Sequence, residues 1–257
     1  MKWRVWKSIW AQSLESFSIY KTASFLTLIL ATIFFFIEIL TGYIYFSPET
    51  SIGGWTRNDY LMLITTTSII TYIYNIFFIN GHEELSEKIL EGDLDYLFVR
   101  PASSYWLAIT SSLDIPSIIN LVIAVVAQIW FIRSYTLSFI DFFWYLINVV
   151  IGFFFLFVAN QILVSISFWF DGFSALSGLM EDVLDLGTRP KQVFPRIIQM
   201  IFSFVFPVLL LTNMPISVLM NQFKLFESLY FAIFVLILFV LSKIIWAHGL
   251  KHYASAN

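Results

Sequence analysis

His82–Pro101, HEELSEKILEGDLDYLFVRP, is the long polar passage between two strongly apolar runs. Its carboxylates (Glu83, Glu84, Glu87, Glu91, Asp93 and Asp95) alternate with apolar residues at helical spacing. Leu85, Ile89 and Leu90 share one face of a helix that Gly92 can end, because glycine takes the left-handed conformation at little cost. Asp93–Phe98 then offers a second apolar patch, and Arg100-Pro101 marks a break before the next apolar run. A charged amphipathic segment between two membrane spans lies outside the bilayer and presses its apolar face on something. That surface is either lipid headgroups or a soluble partner, and the residues alone leave both readings open.

Working outward, the 257-residue chain is 59% hydrophobic and 12% charged, with a mean hydropathy of +0.83. Soluble domains are about a quarter charged, so the composition is that of an integral membrane protein with several spans. Its 29 Phe and 9 Trp suit apolar spans with aromatic anchors at headgroup level. A net charge of −3 gives no argument for nucleic acid. The absence of cysteine excludes disulfides, thiolate metal sites and a cysteine nucleophile. Lys2, Arg4 and Lys7 precede an apolar run too long for a signal peptide's core, and no clear A-x-A site follows, which reads as an uncleaved first span.

The pattern predicts a single all-α transmembrane domain over residues 1–257. Trp3, Trp6, Trp10, Leu14 and Phe17 recur at steps of three and four beside basic residues, so residues 1–22 are expected as a helix in the membrane interface, in contact with lipid. Six spans are expected at about 23–46, 60–79, 105–131, 141–170, 197–211 and 225–246, each read against a hydrocarbon core of ~30 Å. Pro116 kinks the third or separates a short lead-in helix. Residues 171–196 form a second polar passage, with Leu176, Met180, Val183 and Leu184 on one helical face. Asn213–Ser217 interrupts an apolar region and reads as a broken or re-entrant element before span six, tolerated at depth only where protein or water covers the backbone.

Six spans put both termini on one side. Lys2, Arg4, Lys7, Lys21, Lys88, Arg100, Arg189, Lys191, Arg196, Lys243 and Lys251 then share the terminal side, and Arg57, Arg133 and Lys224 the other. Eleven against three assigns the termini, His82–Pro101 and the 171–196 loop to the cytosol.

Little in the sequence carries chemistry. A phosphate-binding G-x-x-x-x-G-K-[ST] loop and a G-x-S-x-G elbow are both missing. His82-Glu83 begins like a zinc-protease helix, but Ser86 stands where the second histidine belongs, and Lys88 stands where an intramembrane protease needs arginine. His248 and His252 share a helical face, and the plainer reading is a solvated tail. Polar residues within spans are costly in lipid and usually face protein or a water-filled path. Glu38 either lines a transport path or reaches toward the interface. Asn160 and Gln161 read as path residues or as helix–helix hydrogen bonds. Asp114 can cap a helix.

At this point the residues carry a likeness. Ile89-Leu90-Glu91-Gly92-Asp93-Leu94-Asp95-Tyr96-Leu97-Phe98-Val99-Arg100-Pro101 resembles the segment after the second span of ABC-2 type exporter permeases, in the subgroup of short six-span permeases. Gln161–Trp169 resembles that subgroup's span-four ending, and Pro190-x-x-Val193-Phe194-Pro195 with Pro207 and Pro215 its proline-marked fifth span. Trp246-Ala247-His248-Gly249-Leu250-Lys251-x-Tyr253 resembles its tail, while Ala254–Asn257 departs from it slightly.

The resemblance implies the transmembrane half of an ATP-driven exporter in a bacterial plasma membrane. It pairs with a second six-span permease subunit, identical or related, and with cytosolic P-loop ATPase subunits that carry the ATP and Mg. This chain itself is then neither an enzyme nor a cofactor binder. The segment after span two becomes the coupling helix, with Glu84, Leu85, Ile89, Leu90, Glu91, Gly92, Asp95, Leu97, Arg100 and Pro101 as its coupling residues. Asp substituted for Leu85, Ile89 and Leu97 is expected to detach the ATPase. The competing class, a stand-alone secondary carrier, lacks the expected charges on several spans and any visible repeat between halves.

Overall fold

In the bilayer core no water satisfies backbone N–H and C=O groups, so an apolar run must bond them within itself as a helix. The structure, a computed structural model, describes residues 3–46, 51–99, 103–170 and 179–253. Among these residues every regular element is helical. In order they are α1 (Trp3–Ile19), α2 (Lys21–Tyr45), α3 (Arg57–Leu90), α4 (Asp95–Phe98), α5 (Ser104–Ile109) and α6 (Ile115–Ile132). Then come α7 (Phe139–Ser165), α8 (Leu179–Gly187), α9 (Arg196–Val205), α10 (Val208–Leu219) and α11 (Leu225–His252). α2, α3, α6, α7 and α11 are long and apolar enough to cross a membrane.

Local chemistry sets most boundaries. Thr56 and Asp59 form a capping box at the start of α3, and Ser138 and Asp141 form another at the start of α7. Asp114 accepts the Ser117 N–H at 3.1 Å and starts α6, with Pro116 in its first turn. Gly92, at φ +71°, ends α3: its N–H bonds Ile89 O, and Asp93 N–H bonds Lys88 O at 2.9 Å.

Contacts between helices define two ends. The base holds α1, α5 and the last turns of α3 and α11. Ser13 of α1 accepts the Leu113 N–H at 2.8 Å, and the Tyr253 hydroxyl accepts the Leu94 N–H at 2.8 Å. The top holds the α2–α3 loop, the α6–α7 loop and the start of α11. There the Asn58 side chain donates to Phe131 O, and the Trp144 and Phe223 rings meet at 5.1 Å.

α3 is the central post, packed by α2, α6, α7 and α10. Leu61–Ile64, Ile70, Leu156–Val158 and Leu209–Leu211 are almost wholly buried. In lipid, burial of apolar surface gives little drive between helices, so close packing and interhelical hydrogen bonds carry the association. Gly152 lets α3 and α10 approach α7: a Cβ there would sit 3.1 Å from Ile70 Cδ1 and 3.4 Å from Leu211. Hydrogen bonds cross between Thr32 and Asn120 at 2.8 Å, Thr66 and Tyr145 at 3.0 Å, and Ser228 and Asn148 at 2.9 Å. α1 is tied mainly through Ile9 and Ser13, which leaves Trp10 and Leu14 exposed.

Three expectations change. Span two and the first part of the polar passage, to Leu90, are one 34-residue helix, α3, and a π-helical stretch at Asn75–Ile79 takes the place of a break. Span three is the short lead-in helix α5 followed by α6, one of the two arrangements expected, because Asp114 and Pro116 restart the helix. Span five at 197–211 is not one straight helix: α9 and α10 meet at 94° around Phe206-Pro207. Pro207 has no N–H to continue the ladder, and the π-helical turn Ile201–Val205 has already widened it. Pro215 sits inside α10, so the break falls one segment earlier than the Asn213–Ser217 pattern indicated.

Both arms of this bent pair open at the top. Arg196 shares a cavity with Lys224 and Glu227, at the top of α11. α10 runs back up from Val208 and ends beyond Leu219, where Asn221 takes φ +56°. The element before span six is therefore a sharply bent helix pair. The third change concerns residues 171–196, expected as a loop on the terminal side. Their described part climbs away from the base instead: α8 packs on α10 and α7, and Gln192 accepts the Trp55 indole N–H at 2.8 Å at the top. Arg189, Lys191 and Arg196 thus join the top, which leaves six basic residues against six among the described residues.

Candidate functional site

One candidate site is a cleft between α2, α3 and α8. Glu38 lies about two turns below the top of α2, half-buried, with its side chain toward α3 and α8. The α3 wall is built by Tyr60 and Ile64 and, lower down, by Thr67, Ser68, Thr71 and Tyr72. Residues at steps of three and four share a face, so this hydroxyl stripe runs along one side of the post. α8 supplies the third wall with Leu184 and Asp185, continued by Thr188 and Arg189. Glu38, Asp185 and Thr188 line both an upper space of 450 Å³ and a lower one of 340 Å³, so the two form one path from the top to mid-depth.

α10 fixes the third wall. Asn213 Oδ1 accepts the Lys191 N–H at 2.9 Å, its Nδ2 donates to Arg189 O at 3.3 Å, and Thr212 donates to Gly187 O at 2.5 Å. The polar interruption read in the sequence is thus the cradle that ends α8 and turns the chain at the mouth of the cleft. Lys191 and Lys224 both reach Glu227, at 3.1 and 3.2 Å, and tie the same turn to α11.

Of the residues expected on a path, Glu38 lines the cleft. Gln161 is wholly buried between α7 and α3, accepting from His82 Nε2 at 3.0 Å and donating to Ser165 at 3.2 Å. The other His82 nitrogen takes the Tyr74 hydroxyl at 2.8 Å. Asn160 bonds back to Leu156 O on its own helix at 3.1 Å. Both amides therefore act in packing, and neither lines a described cavity. Asp185, Thr188, Arg189, Tyr60 and Tyr72 escaped the sequence reading. The spacing of Thr67, Ser68 and Thr71 was the signal that could have found their wall.

The second candidate is the polar end of α3 at the base. Its apolar face, expected to press on headgroups or on a partner, presses on this chain: Leu85, Leu94 and Leu97 are at most 1% exposed and Ile89 is 8% exposed. Gly81 lies so close to α5 that a Cβ would stand 2.1 Å from Ile109 O. The Tyr253 hydroxyl donates to Gly92 O and lies 3.3 Å from Asp95 Oδ1, clamping the turn after α3. What faces outward is acidic: Glu83, Glu84, Glu87, Glu91 and Asp93 are exposed, with Leu90 among them. Glu84 pairs with Lys88 at 2.6 Å. Arg100 and Pro101 lie outside the described residues.

Long apolar helices and a sharply bent helix pair define a polytopic membrane domain. A family profile described as ABC-2 family transporter protein matches residues 24–257, and the chain belongs to that family. This is the family that Ile89–Pro101 resembled. No curated protein and no solved structure matches the chain. Membership makes it a multi-pass transport permease, of a kind that associates with ABC ATPases and is generally not catalytic itself.

Proposed function

We propose that this chain is one permease subunit of an ATP-driven exporter, forming the substrate path with a second permease subunit. The observation that carries this is the continuity of α3. One helix, about 50 Å long at 1.5 Å per residue, joins the acidic base to the wall of the cleft. A push at Glu84–Glu91 therefore moves Thr67–Tyr72, with the π-helical stretch between them as the place to flex. The base faces the cytosol with both termini, and a P-loop ATPase, carrying its ATP and Mg, seats on the exposed carboxylates through a basic groove. Substrate then leaves through the cleft toward the top.

Affinity purification from the native membrane, with mass spectrometry of the bound proteins, tests this. A P-loop ATPase and a second six-span protein are the expected company. If the chain elutes alone from a mild detergent, the exporter reading falls.

A further inference from the structure

The cleft has a chemical character that follows from its walls. Glu38, half-buried, and Asp185, exposed at its rim, line both of its spaces, so two carboxylates share one open cleft. Among the described residues, neither side chain has a hydrogen bond or an ion pair, and no lysine lines either space. Arg189, at the upper space, makes no ion pair with them. A half-buried carboxylate facing a second, like-charged one is costly unless a cation or a proton joins it, so this arrangement favours an occupant that brings positive charge.

The remaining lining agrees. Rings of Phe34 and Phe35 line the lower space, and those of Tyr45, Phe46 and Tyr60 the upper. Aromatic faces attract cations, above all desolvated ones. The volumes, 450 and 340 Å³, lie in the range of small-molecule sites. Hydroxyls along α3 can accept from an ammonium group but cannot neutralise one. An anionic occupant would meet two carboxylates against one arginine.

We infer that the cleft binds an amphiphilic organic cation, its charged group beside Glu38 and Asp185 and its apolar body against the Phe and Tyr rings. This rests on the reading of the cleft as a transport path, and it names the substrate class. Thr188, which lines both spaces with the two carboxylates, sits beside the same group.

The test measures equilibrium binding to the full chain in phosphatidylcholine nanodiscs, with no ATPase present. The probes are tetraphenylphosphonium and its isosteric anion tetraphenylborate, each corrected for empty discs. The wild-type protein is expected to retain the cation and not the anion, a comparison that needs no variant. Glu38→Gln and Asp185→Asn are each expected to weaken cation binding about tenfold, equivalent to ~1.4 kcal/mol. Glu227→Gln, a carboxylate outside the cleft, should leave it unchanged. Equal retention of both ions, or wild-type affinity in folded Glu38→Gln and Asp185→Asn proteins, overturns the inference. The purification experiment reads the exporter assignment separately: cation binding without a co-purified ATPase keeps the site and removes the exporter. A co-purified ATPase without cation discrimination removes the site alone.

Discussion

Gly81 and Tyr253 show how single residues decide the base. At Gly81 the neighbour of a new methyl group is a backbone carbonyl, Ile109 O at 2.1 Å, which cannot rotate away. Gly81→Ala should therefore destabilise the fold by roughly 1–3 kcal/mol, at the upper end of overpacking costs. Gly152→Ala, facing the movable tip of Ile70 at 3.1 Å, should cost clearly less. Thermal unfolding followed by size exclusion separates the two, and equal losses would contradict the packing described. Tyr253→Phe removes the hydroxyl that bonds Leu94 N–H and Gly92 O. Its expected effect is local: faster hydrogen exchange over residues 92–97 and a loss of about 1–2 kcal/mol. Unchanged exchange there would mean that the clamp contributes nothing.

At the scale of elements, α3 separates two roles that one amphipathic pattern had merged. Leu85, Ile89 and Leu97 lie in the chain's own core, so an Asp at any of them should cost folded protein before it costs a partner. The partner-facing test is charge reversal at Glu87 and Glu91, both exposed. Glu87→Lys with Glu91→Lys should leave yield and unfolding temperature within experimental error while reducing recovery of the ATPase severalfold. Full recovery would show that the acidic face is not the seat.

What was legible in the sequence divides along the same line. Gly92, Asp114 with Pro116, and the long apolar runs act locally, so their readings hold at element level. The face on which Leu85 and Ile89 press depends on α5, α7 and α11, which local spacing does not encode. Met180 and Leu184 beside Asp185 give the same pattern for a helix on a membrane surface and for one with its polar side on a cleft. Pro207 and Pro215 look alike in sequence, yet the π-helical turn before Pro207 makes it the corner.

At the scale of the molecule, the decisive consequence is topological. The chain climbs to Gln192 at the top and then turns back through α9 and α10, so both ends of the bent pair belong to the top. The protein contains no cysteine, which makes it a ready background for single introduced ones. Gln192→Cys is expected to react with a membrane-impermeant maleimide from the side opposite to Lys251→Cys and Glu87→Cys, all three positions being exposed. Labelling of Gln192→Cys and Lys251→Cys from the same side would return residues 171–196 to the terminal side and dissolve the third wall of the cleft.

The clamp on the turn after α3 also has a bearing on how the protein is made. Gly92 and Tyr253 are 161 positions apart. At 5–20 residues per second, the ribosome delivers the tyrosine on the order of ten seconds after the turn it holds. Throughout that interval the turn after α3 lacks the clamp that the Tyr253 hydroxyl supplies. Completion of the acidic surface thus coincides with completion of the last helix. A nascent chain stalled before Tyr253 presents a loose turn after α3, and a finished one presents a fixed turn.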